Sequence, residues 1–241
     1  MQYFANSDRG LKRSYNQDRY LMLEVGERGF LAAVFDGMGG HAGGEMAAEL
    51  AAAAFAETFA ESTPADAEEG AALLKAAARL ADDRILAYAG EREGYGGMGT
   101  TVTALLLLGE EGVTLNVGDS RTYLLREGEL YLLTHDDSYV QALIDSGRLA
   151  PEEAPFHPRR NVITCALGSL GDREPVTSVG YPRPGDSYLL CSDGLWDLVG
   201  EGVMRSILSQ QLSLTAAVGY LIAAANEHGG EDNITVALLR V

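Results

Sequence analysis

Basic residues are scarce in this chain: 18 Lys and Arg stand against 35 Asp and Glu, a formal net charge of −17 over 241 residues. Nucleic acid needs a basic footprint for its phosphates, so that partner class is excluded, and anionic membrane surfaces with it. Cysteine is scarcer still. Cys165 and Cys191 lie far apart, each inside an apolar stretch, with no CxxC or Cys/His cluster. That spacing argues against zinc, and two buried free thiols in a reducing cytosol are expected rather than a secreted disulfide. Long hydrophobic runs are missing too, since a string such as TALLLL is far below the length of a membrane span. The opening MQYFANSDRGLKR lacks the apolar core of a signal peptide. With 46% hydrophobic content, the chain suits one sizeable core and hardly two. A soluble, cytoplasmic monomer with one domain over residues 1–241 is the expectation.

Strand-like strings open the chain: QYFANS, RYLMLEV and GFLAAVF. Two helical patterns follow. Residues 44–60 are alanine-rich, with Met46, Leu50, Ala54 and Phe55 near one face, and Leu74, Ala77, Ala78, Ala81, Ile85 and Tyr88 recur at helical spacing after STPAD. Strands return at TTVTALLLL, GVTLNVGD, RTYLLRE and ELYLLT, with EEG and EG at the hairpin positions. A short helix, SYVQALIDSG, leads into the polar RLAPEEAPFHPRRN. Strands resume at NVITCAL, EPVTSVGY and DSYLLCS, helices at GVMRSILSQ and 214–227, and NITVALLRV closes as a strand. Hairpin connections imply antiparallel strands, and helices arrive in pairs between strand groups. An α+β fold is expected: an αββα sandwich of two antiparallel sheets flanked by helix pairs.

Three carboxylates stand where apolar strings meet loops: Asp36 in GFLAAVFDGMGGHAGGE, Asp193 in SYLLCSDG and Asp232 in EDNITVALL. Asp119 in NVGDSR is a fourth. Each alone reads equally well as turn or cap chemistry. Together, strand-end carboxylates from distant parts of a chain can converge on one cation, and oxygen-only ligands select magnesium or manganese. Such ions make a nucleophile from water and neutralise phosphoryl oxygens, which points to a phosphate hydrolase. The glycines around Asp36 let a backbone approach a ligand closely, and Gly37 can offer its carbonyl. Neither G-x-G-x-x-G nor G-x-x-x-x-G-K-[ST] spacing is present in this glycine loop, which argues against nucleotide binding there. An acidic chain that binds phosphate needs local positive charge, and the guanidinium of Arg13 in RSYNQD can fork two phosphate oxygens. The ordinary alternative is a surface charge in a loop. His41 can be a surface histidine or, five residues after Asp36, a general acid.

The joint pattern resembles the bacterial type-2C metal-dependent serine/threonine protein phosphatases, the PPM family. The likeness runs in family order through SDRGLKRSYNQD, VFDGMGGHAGGE, MGTT, NVGDSRTYLL, LCSDGLWD and HGGEDNITVALL. It implies the same αββα sandwich and hydrolysis of phosphoserine and phosphothreonine by a metal-bridging hydroxide, opposing a bacterial Ser/Thr kinase. By resemblance, Asp36 bridges two manganese or magnesium ions, Gly37 lends its carbonyl, and Asp193 and Asp232 complete the set. Asp119 with Asp193 matches a third, weaker metal site. Arg13 matches the phosphate-holding residue, Asp18 the one orienting water, and His41 the general acid. Gln17 stands where the family often has glutamate, and Asp136-Asp137-Ser138 replaces Asp-His-Ser. Residues 147–161 are a candidate flap with a basic end at Arg159 and Arg160, suited to an acidic partner. Two alternatives are a phosphatase dedicated to one stress- or sporulation-switch phosphoprotein, and a non-catalytic phosphoprotein-binding module. The intact Asp36, Asp193 and Asp232 set argues against the second.

Overall fold

Unbroken apolar strings such as GFLAAVF become strands with both faces covered, and this decides the layering. The computed structural model describes residues 1–40, 43–60 and 62–241. The chain runs β1 (Gln2–Asp8), β2 (Arg19–Val25), β3 (Gly29–Phe35), β4 (Gly37–Met38), α1 (Gly43–Ala60), α2 (Ala67–Glu91), β5 (Gly99–Thr100), β6 (Val102–Leu108), β7 (Glu111–Val117), β8 (Arg121–Arg126) and β9 (Glu129–Leu132). It continues through α3 (Tyr139–Asp145), a 3-10 turn at Pro151–Phe156, β10 (Val176–Gly180), β11 (Ser187–Cys191), α4 (Asp193–Trp196), α5 (Glu201–Leu208), α6 (Leu214–Glu227) and β12 (Ile234–Arg240). One sheet has the order β1-β12-β11-β8-β9 and the other β10-β7-β6-β3-β2; every pairing is antiparallel, as expected. β4 and β5 form a separate two-stranded ribbon.

Strand alternation sorts side chains between layers. Leu31, Ala33 and Phe35 of β3 join Ala47, Ala51 and Phe55 of α1 and Leu74, Ala78 and Ile85 of α2 in one core. Phe30, Ala32 and Val34 of the same strand meet Leu190, Ala237 and Leu239 of the other sheet. On the far side, Val236 and Leu238 pack with Val218, Leu221 and Ala225 of α6. This is the αββα sandwich. Cys165 and Cys191 are buried and free. Among the described residues, no helix is long and apolar enough to cross a membrane.

Several local expectations are corrected. NVITCAL is not a strand: it makes isolated bridges only, Thr100 with Leu167 and Ser138 with Ile163. Gly168 and Leu170 N–H groups donate to Asp82 Oδ1 at 2.6 and 3.0 Å, so a buried carboxylate of α2 organises the end of this segment instead of a ladder. The α1 face against the sheet is centred on Ala47, Ala51, Ala54 and Phe55, with Met46 and Leu50 only half-buried. The β6–β7 turn sits at Gly109 and Glu110, since Leu108 pairs with Glu111. α3 and the 3-10 turn stand outside the helix pairs and hold no buried residue.

Candidate metal centre

Asp36 sits where β3 leaves its sheet, and its backbone is tied from two neighbours. Its N–H donates to Thr101 Oγ1 at 3.1 Å, and its carbonyl accepts from Thr101 N–H and Thr100 Oγ1, both at 2.9 Å. At Gly37 only glycine fits: a Cβ would stand 2.1 Å from the Gly44 carbonyl oxygen. That crossing presses the start of α1 against the strand end. Asp193 opens α4, and Gly194 beside it is equally constrained, with the Asn233 carbonyl oxygen 2.1 Å from any Cβ. The segments carrying Asp193 and Asp232 are thereby held against each other.

Asn233, next to Asp232, pins the N-terminal loop. Its Oδ1 accepts from Gln17 N–H, and its Nδ2 donates to the carbonyls of Arg9 and Tyr15, each at 2.9 Å. Arg13 is thus held at the rim, where its Nη2 donates to Asp232 Oδ2 at 2.6 Å while half of the side chain stays exposed. Asp18 is buried; its Oδ2 accepts from Ser192 Oγ at 2.7 Å and Thr235 Oγ1 at 2.6 Å. Behind Asp36, Thr101 Oγ1 pairs with Ser120 Oγ at 2.7 Å, which ties in the loop of Asp119. The Asp119 carbonyl accepts from Trp196 Nε1 at 2.9 Å.

Between these elements lies a cleft of about 540 Å³, lined by Arg13, Lys12, Gln17, Asp36, Gly37, Asp193 and Asp232 among others. Among the described residues, Asp232 alone of its carboxylates has an ion-pair partner, Arg13. Burial, then the neighbouring Asp18, Asp193, Asp119 and Asp232, pushes Asp36 well above the ordinary carboxylate range. Burial, with Asp119, Asp232 and Asp18, does the same to Asp193. Burial lifts Asp18 to about 6 against the downward pull of its two hydroxyl donors, and lifts Asp119 to about 7 with help from Asp136.

Among the described residues, no three His, Cys, Asp or Glu side chains have the spacing of a ready-made metal cage. The donor chemistry nevertheless fits a hard divalent cation. All donors are oxygens, and Oδ1 of Asp18, Asp119 and Asp193 is buried without a hydrogen-bond partner. Mutually repelling carboxylates with orphaned oxygens are what a bound cation relieves.

A family model described as Protein phosphatase 2C matches residues 11–227. The chain belongs to the protein phosphatase 2C family. It is 42% identical over 241 residues to the serine/threonine protein phosphatase PstP of Mycobacterium tuberculosis, covering all of this chain and 45% of that protein. It therefore spans about half the length of that curated relative. It is 39% identical over 234 residues to the serine/threonine phosphatase stp of Listeria welshimeri, covering 97% of this chain and 93% of that one. The crystal structure of the PstP catalytic domain in complex with two manganese ions superposes with a TM-score of 0.86 at 41% identity, over 98% of this chain and 96% of that chain.

Within this 2C-family chain, Asp36, Gly37, Asp193, Asp232 and Arg13 line one cleft, although they come from opposite ends of the sequence. Asp18 lies directly behind them, while Asp119 lines an adjoining cavity that shares Asp193 with the cleft. His41 lies outside the described residues. Sequence reasoning missed Lys12, Ser192, Asn233 and Thr235. Three of these four flank a predicted ligand directly or at close range, so the neighbours of each aspartate were the available signal. Asp137, standing in place of the family histidine, has a visible structural role. Its carboxylate accepts from Gly118 N–H at 3.1 Å, and its own N–H donates to the Gly118 carbonyl at 2.8 Å. It clamps the residue preceding Asp119.

Proposed function

We propose that this chain is a manganese- or magnesium-dependent phosphatase of phosphoserine and phosphothreonine in proteins. The observation that carries this is the cleft itself: aspartates from distant elements meet with orphaned oxygens, and Arg13 and Lys12 supply positive charge at the rim. The printed functions of the relatives, serine/threonine phosphatases, and the two manganese ions bound by one of them support the same reading. Asp36 with the Gly37 carbonyl, Asp193 and Asp232 would hold two ions, and Asp119 with Asp193 a third. When bound, such ions make water nucleophilic at neutral pH and neutralise the phosphoryl oxygens.

The chain's own residues do the rest. Arg13 forks the substrate phosphate, which makes its single contact to Asp232 a pairing it exchanges. Asp18, fixed by Ser192 and Thr235, keeps an unpartnered Oδ1 that would accept a hydrogen bond from the attacking water and orient it. His41 protonates the departing serine or threonine oxygen. Residues 147–161 act as a flap beside the cleft, within a single domain over 1–241. The setting is a cytoplasmic monomer acting on phosphoproteins that a Ser/Thr kinase produces.

Hydrolysis of a phosphothreonine peptide should require added manganese or magnesium and stop with chelator. Asp193→Asn should lower both metal content and turnover, the latter by roughly a hundredfold or more, because a neutral amide replaces an anionic ligand. Full activity after exhaustive chelation, with metal analysis showing no bound ion, would overturn the metal-dependent reading.

A further inference from the structure

The cleft does not end at Asp193. That residue and Asn161 also line a second cavity of about 530 Å³; its Asp119 end is where the third ion above would sit, and the rest of it has no part in the chemistry so far. Its apolar walls are Val140 and Ile144 of α3, Pro151, Ala154 and Pro155 of the 3-10 turn, and Trp196 of α4. Val140 and Ile144 stand four residues apart, hence on one helix face. Neither α3 nor the 3-10 turn contains a buried residue, so this face is not consumed by a core of its own.

The opposite wall is stiff. The Arg121 guanidinium lies 3.6 Å from the Trp196 ring centroid, and it also forks Asp136 with Nε to Oδ1 at 3.0 Å and Nη2 to Oδ2 at 2.7 Å. Trp196 Nε1 is committed to the Asp119 carbonyl. With Arg121 neutralised by Asp136, the positive charge left in the lining is that of Arg160, set against Asp119, Asp193, Asp197 and Glu201, so an anion gains little here. A rigid indole facing prolines and aliphatic side chains suits an uncharged apolar group instead.

Continuity names the occupant. A chain whose phosphate sits among Arg13, Asp36 and Asp193 must leave the cleft, and an extended peptide advances about 3.3–3.6 Å per residue. Passing Asn161 and Asp193, it reaches the second cavity within a few residues. We propose that this cavity is a specificity site of the phosphatase, taking an aliphatic side chain roughly one to three residues from the phosphorylated serine or threonine. The inference rests on the protein-phosphatase reading above. A small aryl phosphate, held by the cleft alone, does not reach it.

The test uses phosphothreonine peptides with leucine or alanine at each flanking position, and nitrophenyl phosphate as the substrate that ignores the cavity. Wild-type protein should prefer leucine at one register by roughly tenfold or more in kcat/KM, the discrimination a hydrophobic pocket gives. Val140→Phe, which fills the cavity from α3 and lies outside the flap, should erase that preference while nitrophenyl phosphate turnover is retained. Ile144→Ala, which enlarges it, should shift the preference towards a larger side chain. Equal turnover of leucine and alanine peptides at every register would overturn the specificity site alone. A preference that survives both variants unchanged would do so too. Turnover of nitrophenyl phosphate with none of any phosphopeptide would overturn the protein-phosphatase reading, and this inference with it.

Discussion

Two sets of aspartates are withdrawn from solvent in this chain, and they differ in their neighbours. Asp136 and Asp186 are each forked by an arginine: Arg121 reaches Asp136 at 2.7 Å, and Arg126 reaches Asp186 through Nε at 2.9 Å and Nη2 at 2.6 Å. Among the described residues, no arginine forks the carboxylate of Asp18, Asp119 or Asp193, and each keeps an unpartnered Oδ1. Against the upward pull of burial, hydrogen bonds from Arg126 hold Asp186 below its ordinary value, whereas burial and like charge raise Asp18, Asp119 and Asp193. Residue type and burial are thus shared, and the missing cation is the difference. The paired aspartates build the fold, and the unpaired ones are free to take a ligand.

Removing an arginine moves an aspartate from the first set to the second, and this should be the largest effect. Asp136 is almost fully buried, with its side chain 5% exposed, and the Arg121 side chain is 19% exposed. Arg121→Ala strands that carboxylate and also frees the Trp196 ring. The expected cost is about 3–5 kcal/mol in denaturant unfolding. A loss below about 1 kcal/mol would show that the pair is dispensable, and that Asp136 belongs with the unpaired set.

The same division explains what could be read from sequence. Strings buried on both faces, such as GFLAAVF and the strand of NITVALLRV, announced their strands because neither face needed polar residues. The candidate ligand aspartates were legible because each stands within two residues of the end of such a string. What was illegible depends on long-range partners. Nothing near NVITCAL signals that Asp82, 86 residues from Gly168, will organise that loop. Nor does Asp18 reveal hydroxyl donors lying 174 and 217 residues away. The turn before Glu111 was displaced because glycine can take either side of a hairpin. Only the pairing of Leu108 with Glu111 fixes it.

Proton linkage should separate the two sets next. Asp18 and Asp119 are raised from 3.8 to about 6 and about 7 in the folded chain. A raised carboxyl leaves the folded state holding more protons than the unfolded state, so stability falls as pH rises. That contribution is full below about pH 4 and is lost between there and about pH 7. Asp186, held low, acts only below its ordinary 3.8 and stays out of this window. In chelator, stability should therefore decline by a few kcal/mol from pH 4.5 to 7.5 on account of the cleft. Saturating manganese, which binds the ionised carboxylates, should progressively cancel that decline. Parallel stability curves with and without manganese would mean that these carboxylates are not where the ion binds.

The smallest effect should come from the arginine that resembles the structural pairs and is not one of them. Arg13 contacts Asp232 through one nitrogen, and its side chain is 51% exposed, against 19% for Arg121 and 24% for Arg126. A single exposed contact is worth at most about 1 kcal/mol to the fold, so Arg13→Ala should leave unfolding nearly unchanged. If the guanidinium is kept for phosphate, the loss appears in function. A charge-assisted contact of about 1.5–3 kcal/mol corresponds to a roughly ten- to hundredfold fall in kcat/KM, expressed mostly through KM. Metal content should stay at the wild-type level, since no nitrogen of Arg13 is a ligand. Arg13→Lys should recover only part of the loss, because an ammonium keeps the charge but cannot fork two oxygens. Full recovery with lysine would reduce Arg13 to a point charge at the rim. A collapse of metal occupancy in Arg13→Ala would instead place it beside Arg121, as a residue that holds its aspartate in position.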